Sequence, residues 1–356
     1  ANKIFVEMER TQKEEKKLDI IVYNTMISIF CREKKWIETE KLWRKINERG
    51  YQSTPITYSL LVTLFVRCKQ DELALNAYSE MMKKGISPRK DAMLAAINAS
   101  VREGKWDLAL GIFQSMLSRG MNPNLAACNS LINSLGRCGR VGEAFEVFKK
   151  VKLLGHEPDS YTWTALMGCL YRSEKYLESL ELFETLRLEV RCEMGTHAYD
   201  IALMSCKKLR FWDRAVQLLW KMEASGLEVK TLSYNIVIGA CETARKAKVA
   251  LEVYDHMVDQ NCSPDTFTYL SLLRVCIWAS LWTEVDEIMK HVVPDACLYN
   301  AVIHGMCLRG RSESARTMYF RMRQKGLVPD GKTRALMIQN LGKSSSGGRK
   351  HRRRRY

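Results

Sequence analysis

Six positively charged side chains recur along this 356-residue chain at one spacing. Arg32, Arg67, Arg102, Arg137 and Arg172 are each 35 residues apart, and Lys208 follows after 36. Equal positions of a tandem repeat line up along one edge, so these six cations can follow the phosphates of an extended polyanion. A helix-end cation would also complement the helix dipole, whatever it binds. The series stops at Thr243, Trp278 and Leu308, so the electrostatic grip should lie in the N-terminal two-thirds. The formal net charge is +16, and removing the seven basic residues of 342–356 still leaves +9. A basic body suits nucleic acid first and an anionic membrane surface second.

Other chemistry is not legible. The six histidines are scattered, the 12 cysteines form no CxxC pair, and no Cys/His set has zinc spacing. The H-x-E and P-C-x-x-C motifs of a zinc deaminase are absent, as is a Walker-type phosphate loop. No metal, no cofactor and no catalytic residues are expected, and the chain is read as a non-enzyme. Cys31, Cys169, Cys206 and Cys276 lie in apolar helical stretches and read as reduced, buried, small hydrophobes, which points to a reducing compartment. No apolar run reaches 18 residues, so no membrane span is expected, and no signal peptide is seen. The first residue is Ala1, consistent with a processed or trimmed form.

The positioning elements follow from the period. Gly50, Gly85, Gly120 and Gly155 are 35 residues apart, and Gly226 and Gly326 continue the series after irregular stretches. A turn follows each, as at Ser87-Pro88-Arg89, Asn122-Pro123-Asn124, Glu157-Pro158-Asp159 and Val328-Pro329-Asp330. Gly takes the left-handed position past a helix end, Pro prevents continuation, and Asp or Asn caps the next helix. Residues 125–159 show the unit: a first helix over 126–137, a break at Gly139, and a second over 141–153. Small residues recur in the second helix at Ala74, Ala109, Ala144, Ser179, Ala215, Ala250 and Ala315, where they let paired helices approach closely. Trp36, Trp106, Trp212 and Trp282 share one place at the start of that helix. They read as inter-helix core rather than as a ladder for stacking bases, because Val141 and Tyr176 take the same place elsewhere.

The register gives nine repeats: 20–54, 55–89, 90–124, 125–159, 160–195, 196–230, 231–265, 266–295 and 296–330. The fifth is one residue long and the eighth about five short, so the second helix of the eighth should be truncated. Residues 1–19 read as an N-terminal helical cap or partial repeat, 331–341 as a capping helix, and 342–356 as a disordered basic tail. A lone hairpin cannot bury its apolar face, so the hairpins must stack. The expected fold is all-α: a right-handed superhelical solenoid of tandem helix–turn–helix repeats, one domain over 20–330.

A 35-residue hairpin opening on Val22-Tyr23-Asn24-Thr25-Met26-Ile27, Ser233-Tyr234-Asn235-Ile236-Val237-Ile238 or Leu298-Tyr299-Asn300-Ala301-Val302-Ile303 and closing on G-x-x-P-D resembles the pentatricopeptide repeat (PPR) family. The resemblance is to a P-type array without a C-terminal catalytic domain and covers 20–330. It implies one base of single-stranded RNA per repeat, read by the fifth residue and by the last residue before the next repeat. In that family Asn with Asp goes with uracil, and Thr or Ser at the fifth position with purines. Carried over, base recognition falls to Asn24 with Thr54, Ser59, Asn129 with Asp159, Thr164, Asn235 with Asp265, and Asn300 with Asp330. Arg89 beside Ser59, Leu94 in the third repeat, Gly195 beside Thr164, Asp200 with Lys230 in the sixth and Leu270 in the eighth depart from the pattern. The implied site, read 5′ to 3′, is Y-N-N-U-R-N-U-N-U. The resemblance also places each repeat's second residue against the base faces, which gives Ile21, Ile56, Tyr161, His197, Leu232 and Phe267; Asp91 stands there in the third repeat and is unfavourable near a polyanion.

The function implied is sequence-selective binding of single-stranded RNA in organellar RNA metabolism: transcript stabilisation, processing, splicing or translation. The chloroplast is slightly preferred over the mitochondrion. The alternative is a scaffold subunit of a large ribonucleoprotein or transcription assembly, with proteins of that assembly as partners. The tail Arg349 to Arg355 would add non-specific contact with RNA or ribonucleoprotein.

Overall fold

The computed structural model describes residues 20–347 apart from 49, 52, 191–193 and 294. The N-terminal piece 1–19 and the basic residues from Arg349 onward lie outside the described residues. Every regular element among the described residues is helical, and the helices come in consecutive hairpins, the solenoid class expected. The chain divides into two compact units, Ala1–Glu174 and Lys175–Tyr356.

The N-terminal unit holds α1 (Ile20–Arg32), α2 (Trp36–Glu48), α3 (Pro55–Arg67), α4 (Asp71–Lys83), α5 (Lys90–Arg102), α6 (Trp106–Ser118), α7 (Leu125–Arg137), α8 (Val141–Leu153) and α9 (Ser160–Arg172). Odd-numbered helices open repeats and even-numbered helices close them. Each first helix packs on its own second helix and on the first helix of the next repeat. The sequence dictates this. The fourth, seventh and eighth residues of each first helix fall on one face at helical spacing, and Tyr23, Tyr58, Leu61, Val62, Leu131 and Ile132 there are fully buried. Each such side chain contributes about 1.5–3 kcal/mol of transfer free energy. Ala74, Ala109 and Ala144 are fully buried on the second helices, and Thr39 takes that place in α2. At Gly136 an added Cβ would lie 2.7 Å from Cys169 Cβ, so α7 and α9 touch nearly backbone to backbone there.

The C-terminal unit holds α10 (Tyr176–Thr185), α11 (Thr196–Leu209), α12 (Trp212–Ala224), α13 (Thr231–Thr243), α14 (Ala247–Asp259), α15 (Thr266–Ala279), α16 (Trp282–His291), α17 (Ala296–Leu308), α18 (Ser312–Gln324) and α19 (Gly331–Gly347). It stacks by the same rule, with Tyr199, Tyr234 and Tyr299 buried in the place of Tyr23. The extra residue of the fifth repeat is absorbed by a π-helical turn, Leu186–Val190, after α10. The shortened eighth repeat has a ten-residue second helix, α16. The last helix runs to Gly347, six residues past the end read from sequence.

The turns explain the period. Gly50, Gly85, Gly120, Gly155, Gly226 and Gly326 all have φ between 67° and 77°, the left-handed conformation that closes the second helices of their repeats, and Asn261 takes it at φ 55° in the seventh. The turn inside each hairpin also takes one left-handed residue. Gly104, Gly139 and Gly310 supply three, and Lys34, Lys69, Glu174, Arg210, Arg245 and Ser280 hold φ of 56–62° at the same place without that freedom. The division at Glu174 falls inside the fifth repeat. Periodicity does not mark it, because the first-helix pattern continues unchanged on both sides.

Candidate nucleic-acid interface

The last residue of a repeat is the N-cap of the next first helix. Thr54, Asn124, Asp159, Asp265, Asp295 and Asp330 each accept a backbone N–H of the first turn. Capping fixes these side chains beside the fifth residue of the repeat just closed. Asn129 Nδ2 donates to Asp159 Oδ1 at 3.1 Å, and Asn235 Nδ2 lies 3.0 Å from both oxygens of Asp265. A carboxylate only accepts, so it selects the Nδ2 side and fixes which way the amide points.

A third residue completes each arrangement. The Thr162 hydroxyl lies 2.8 Å from both Asn129 Oδ1 and Asp159 Oδ1 and shares its proton between them, Thr268 donates to Asn235 Oδ1 at 2.5 Å with Asp265 Oδ1 at 3.0 Å, and Thr57 donates to Asn24 Oδ1 at 2.6 Å. The Asn129 and Asn235 amides are thus held at both ends and retain one N–H and one lone pair for a ligand. Asn24 lacks the carboxylate, because Thr54 stands in that place and forms a reciprocal capping box with Thr57. Asn300 departs further: its Oδ1 accepts the Asp330 N–H at 3.4 Å, while the Asp330 carboxylate caps Thr333 at 2.7 Å.

Burial pushes the Asp159 carboxyl up, but the Thr162 N–H and hydroxyl and the Asn129 amide outweigh it, holding it below the usual carboxylate range. Asp265 is also held low: burial pushes it up, and Thr268 and Asn235 outweigh that. At Asp330 the Thr333 N–H and hydroxyl lower it.

Two residues read from sequence as base contacts are placed differently. Ser59 is buried, 7% exposed, in the core side of α3. The Thr164 hydroxyl donates to the Ser160 carbonyl at 2.6 Å, within its own helix. In contrast, the second residue of every repeat is exposed, including Ile21, Ile56, Tyr161, His197, Leu232 and Phe267, with Tyr161 at 76% and Phe267 at 72%. Large apolar side chains left in water at a constant repeat position mark a contact surface.

The basic series lies eleven residues beyond that second position. Eleven residues are about three helical turns, so each cation shares a helix face with the exposed residue, about 16 Å further along. Arg32, Arg67, Arg137 and Lys208 are exposed and form no ion pair among the described residues. Arg102 donates to Asp71 Oδ1 at 2.5 Å and to the Val66 carbonyl at 3.1 Å, and Arg172 donates to Asn133 Oδ1 at 3.1 Å. Two of the six are therefore committed to the preceding hairpin, a partner that equal spacing alone does not reveal.

Trp36, Trp106, Trp212 and Trp282 are half-buried rather than core. Lys246 stacks on Trp212 at 5.2 Å and Arg311 on Trp282 at 4.6 Å, each cation coming from the following repeat. Trp212 and Trp282 thus join neighbouring hairpins by their faces.

The hydroxyl anchors were missed in the sequence, yet a signal was there. Repeats whose fifth residue is Asn24, Asn129, Asp200, Asn235 or Asn300 are followed by Thr57, Thr162, Ser233, Thr268 or Thr333 at the third position of the next repeat. Repeats with Ser59, Leu94, Thr164 or Leu270 are followed by Ala92, Ala127, Ala198 or Leu298. A hydroxyl occurs wherever the fifth residue carries an amide or carboxylate oxygen that can accept its proton.

Among the described residues no group of His, Cys, Asp or Glu is placed to hold a metal ion, and no helix is long and apolar enough to cross a membrane.

Comparison with known proteins bears on the same positions. The PPR repeat family model matches residues 18–67, 123–172, 229–277 and 294–343. The pentatricopeptide repeat domain model matches 92–138, and the PPR repeat model matches 56–86 and 161–189. Pentatricopeptide repeat-containing protein At3g29290 of Arabidopsis thaliana is 62% identical over 343 residues, 96% of this chain and 64% of that protein's length. A second Arabidopsis thaliana relative, pentatricopeptide repeat-containing protein At3g09650, chloroplastic, is 28% identical over 158 residues, 42% of this chain and 20% of its own. The chain thus spans less than two thirds of either relative. The crystal structure of the pentatricopeptide repeat protein PPR10 in complex with an 18-nt psaJ RNA element aligns over 93% of this chain and 47% of that one, at 22% identity and a TM-score of 0.41.

Proposed function

The chain belongs to the pentatricopeptide repeat family, and from that premise we propose that it binds single-stranded RNA sequence-selectively in organellar RNA metabolism. The observation that carries this is the pair of clamped amides, Asn129 and Asn235, each presenting one N–H and one lone pair near exposed aromatic side chains, Tyr161 and Phe267. A uracil edge offers a matching acceptor and donor, and the exposed second residues supply stacking faces. The preferred site is Y-N-N-U-R-N-U-N-U, with Asn129 and Asp159 at nucleotide four and Asn235 and Asp265 at nucleotide seven. Asn300 and Asp330 take nucleotide nine, with an amide held less firmly. Ser59 contributes little, since it is buried, and Thr164, whose hydroxyl is bonded to its own helix, gives the weaker purine preference at nucleotide five. The exposed cations Arg32, Arg67, Arg137 and Lys208 track phosphates. The address is an organelle, with the chloroplast slightly preferred; relatives are named both chloroplastic and mitochondrial.

Selection from a random single-stranded RNA pool at two salt concentrations, with a DNA pool as control, tests this. An enriched RNA motif containing U-R-N-U is expected. Log affinity should fall with log salt at a slope of about −3, four free cations at roughly 0.7 each, rather than the roughly −4 of all six. Tight, salt-sensitive binding without enrichment, equal for RNA and DNA, would move the assignment to a scaffold within a larger assembly.

A further inference from the structure

The sixth repeat carries Asp200 at the fifth position and Lys230 at the last, a combination that the Asn/Asp arrangement does not explain. The structure nevertheless holds Asp200 in the same way. Ser233 Oγ donates to Asp200 Oδ1 at 2.7 Å, as Thr162 does to Asn129 and Thr268 to Asn235. Asp200 also obeys the pairing of fifth residue and following hydroxyl described above. One oxygen is therefore anchored in the place of the asparagine Oδ1. The other stands where the asparagine Nδ2 would be, on the side of the last residue of the repeat.

Polarity is reversed at both positions. Where Asn235 presents a donor next to the acceptor Asp265, Asp200 presents an acceptor next to the donor Lys230. Asp200 is half-buried and forms no ion pair among the described residues, while Lys230 and His197 are exposed. A carboxylate has about four lone-pair sites, so three remain after Ser233. Burial pushes the Asp200 carboxyl up, and Ser233, His197 and Lys230 pull it back. Its charged form therefore gains from two further N–H donors.

Guanine is the one standard base whose Watson–Crick edge places two adjacent N–H donors, N1–H and N2–H, beside an acceptor, O6. Uracil flanks its single N–H with two carbonyls, and adenine and cytosine set one amine beside a ring acceptor. We infer that Asp200 and Lys230 form a guanine-reading pair: the carboxylate accepts from N1–H and N2–H, and the ammonium donates to O6. The exposed His197, one turn earlier on α11, offers its ring to the base face. This rests on the single-stranded RNA reading and sharpens the site to Y-N-N-U-R-G-U-N-U.

The test is binding of the full chain to single-stranded RNAs of sequence CAAUAxUAU, where x is G, A, C, U or inosine, with a scrambled RNA as reference. Guanine at x should bind at least about tenfold tighter than A, C or U, within the discrimination typical of a bidentate pair. Inosine, which lacks the N2 amine, should fall between. Asp200→Asn should abolish the guanine preference, and Asp200→Asn with Lys230→Asp should convert it to uracil; circular dichroism melting checks that both fold. Equal affinity for all bases at x, with U→A at nucleotides four and seven still weakening binding, overturns the guanine pair alone. A guanine preference that survives Asp200→Asn does the same. Failure of every CAAUAxUAU RNA to exceed the scrambled one overturns the RNA reading, and this pair with it.

Discussion

The two units carry the same hairpin but spend their surface differently. The N-terminal unit has five positions of the basic series, Arg32 through Arg172, and its fifth-position residues include the buried Ser59, Leu94 and the self-bonded Thr164. The C-terminal unit keeps only Lys208, with Thr243, Trp278 and Leu308 in the later places. Hydroxyl-anchored readers occur in both units, Asn24 and Asn129 in the first and Asp200 and Asn235 in the second. At Trp278, 53% exposed, cations return by another route: Arg245 and Arg309 lie 4.5 and 5.1 Å from the ring. We propose that the N-terminal unit carries most of the backbone grip, while both units carry base readers.

That division can be broken or sharpened by experiment. The largest effect is expected from Gly136→Ala, which drives a methyl into Cys169 on α9, whose backbone must move. It should cost about 1–3 kcal/mol in chemical denaturation and weaken RNA binding without altering preference at nucleotides seven and nine. A changed preference there would break the division. Arg67→Ala with Arg137→Ala should weaken binding about tenfold for every sequence and reduce the salt slope by about 1.4, as two phosphate contacts require. Arg102→Ala should instead lower the melting temperature as well, because it leaves the mostly buried Asp71 without its partner. Asn235→Thr should shift preference at nucleotide seven alone, measured by competition among the four bases.

Acid should separate the two kinds of reader. Asp159 and Asp265 have depressed folded pKa values, so the stability they contribute is present above the unfolded value of 3.8 and is lost only as pH falls through the lower folded values. Uracil preference at nucleotides four and seven should persist down to about pH 5, above both the folded and unfolded values. The Asp200 carboxyl is raised, so folding is favoured by its protonation, and guanine preference at nucleotide six should be the first lost as pH falls. Loss of all three together would remove the distinction. The smallest effect is expected from Lys69→Gly, which relieves a left-handed residue at φ 59° and should stabilise by about 0.5–1 kcal/mol with no effect on RNA.

The hairpins, their turns and the exposed second positions were legible because each depends on residue type at a fixed spacing: Gly and Pro for turns, buried apolar residues at helical period, Asp and Asn at caps. Side-chain partnership was less legible. The commitment of Arg102 to Asp71 and of Trp282 to Arg311 joins neighbouring repeats, and equal spacing is silent on which neighbour a long side chain reaches. The depth of Ser59 was not legible either, since its place in the register matches Asn129 while its small side chain sinks into the helix contact. The hydroxyl anchors lie between these cases: their pairing with the fifth residue is written in the sequence, but its meaning appears only when Thr162 is seen against Asn129.

Sequence-selective RNA binding is tested most directly by an affinity scan of CAAUAGUAU and its DNA counterpart, changing one nucleotide at a time. About tenfold losses are expected for U→A at nucleotides four and seven, with little change at nucleotides two and three and weaker binding of the DNA. A flat profile, with the same affinity for every substitution and for DNA, would contradict sequence-selective RNA binding.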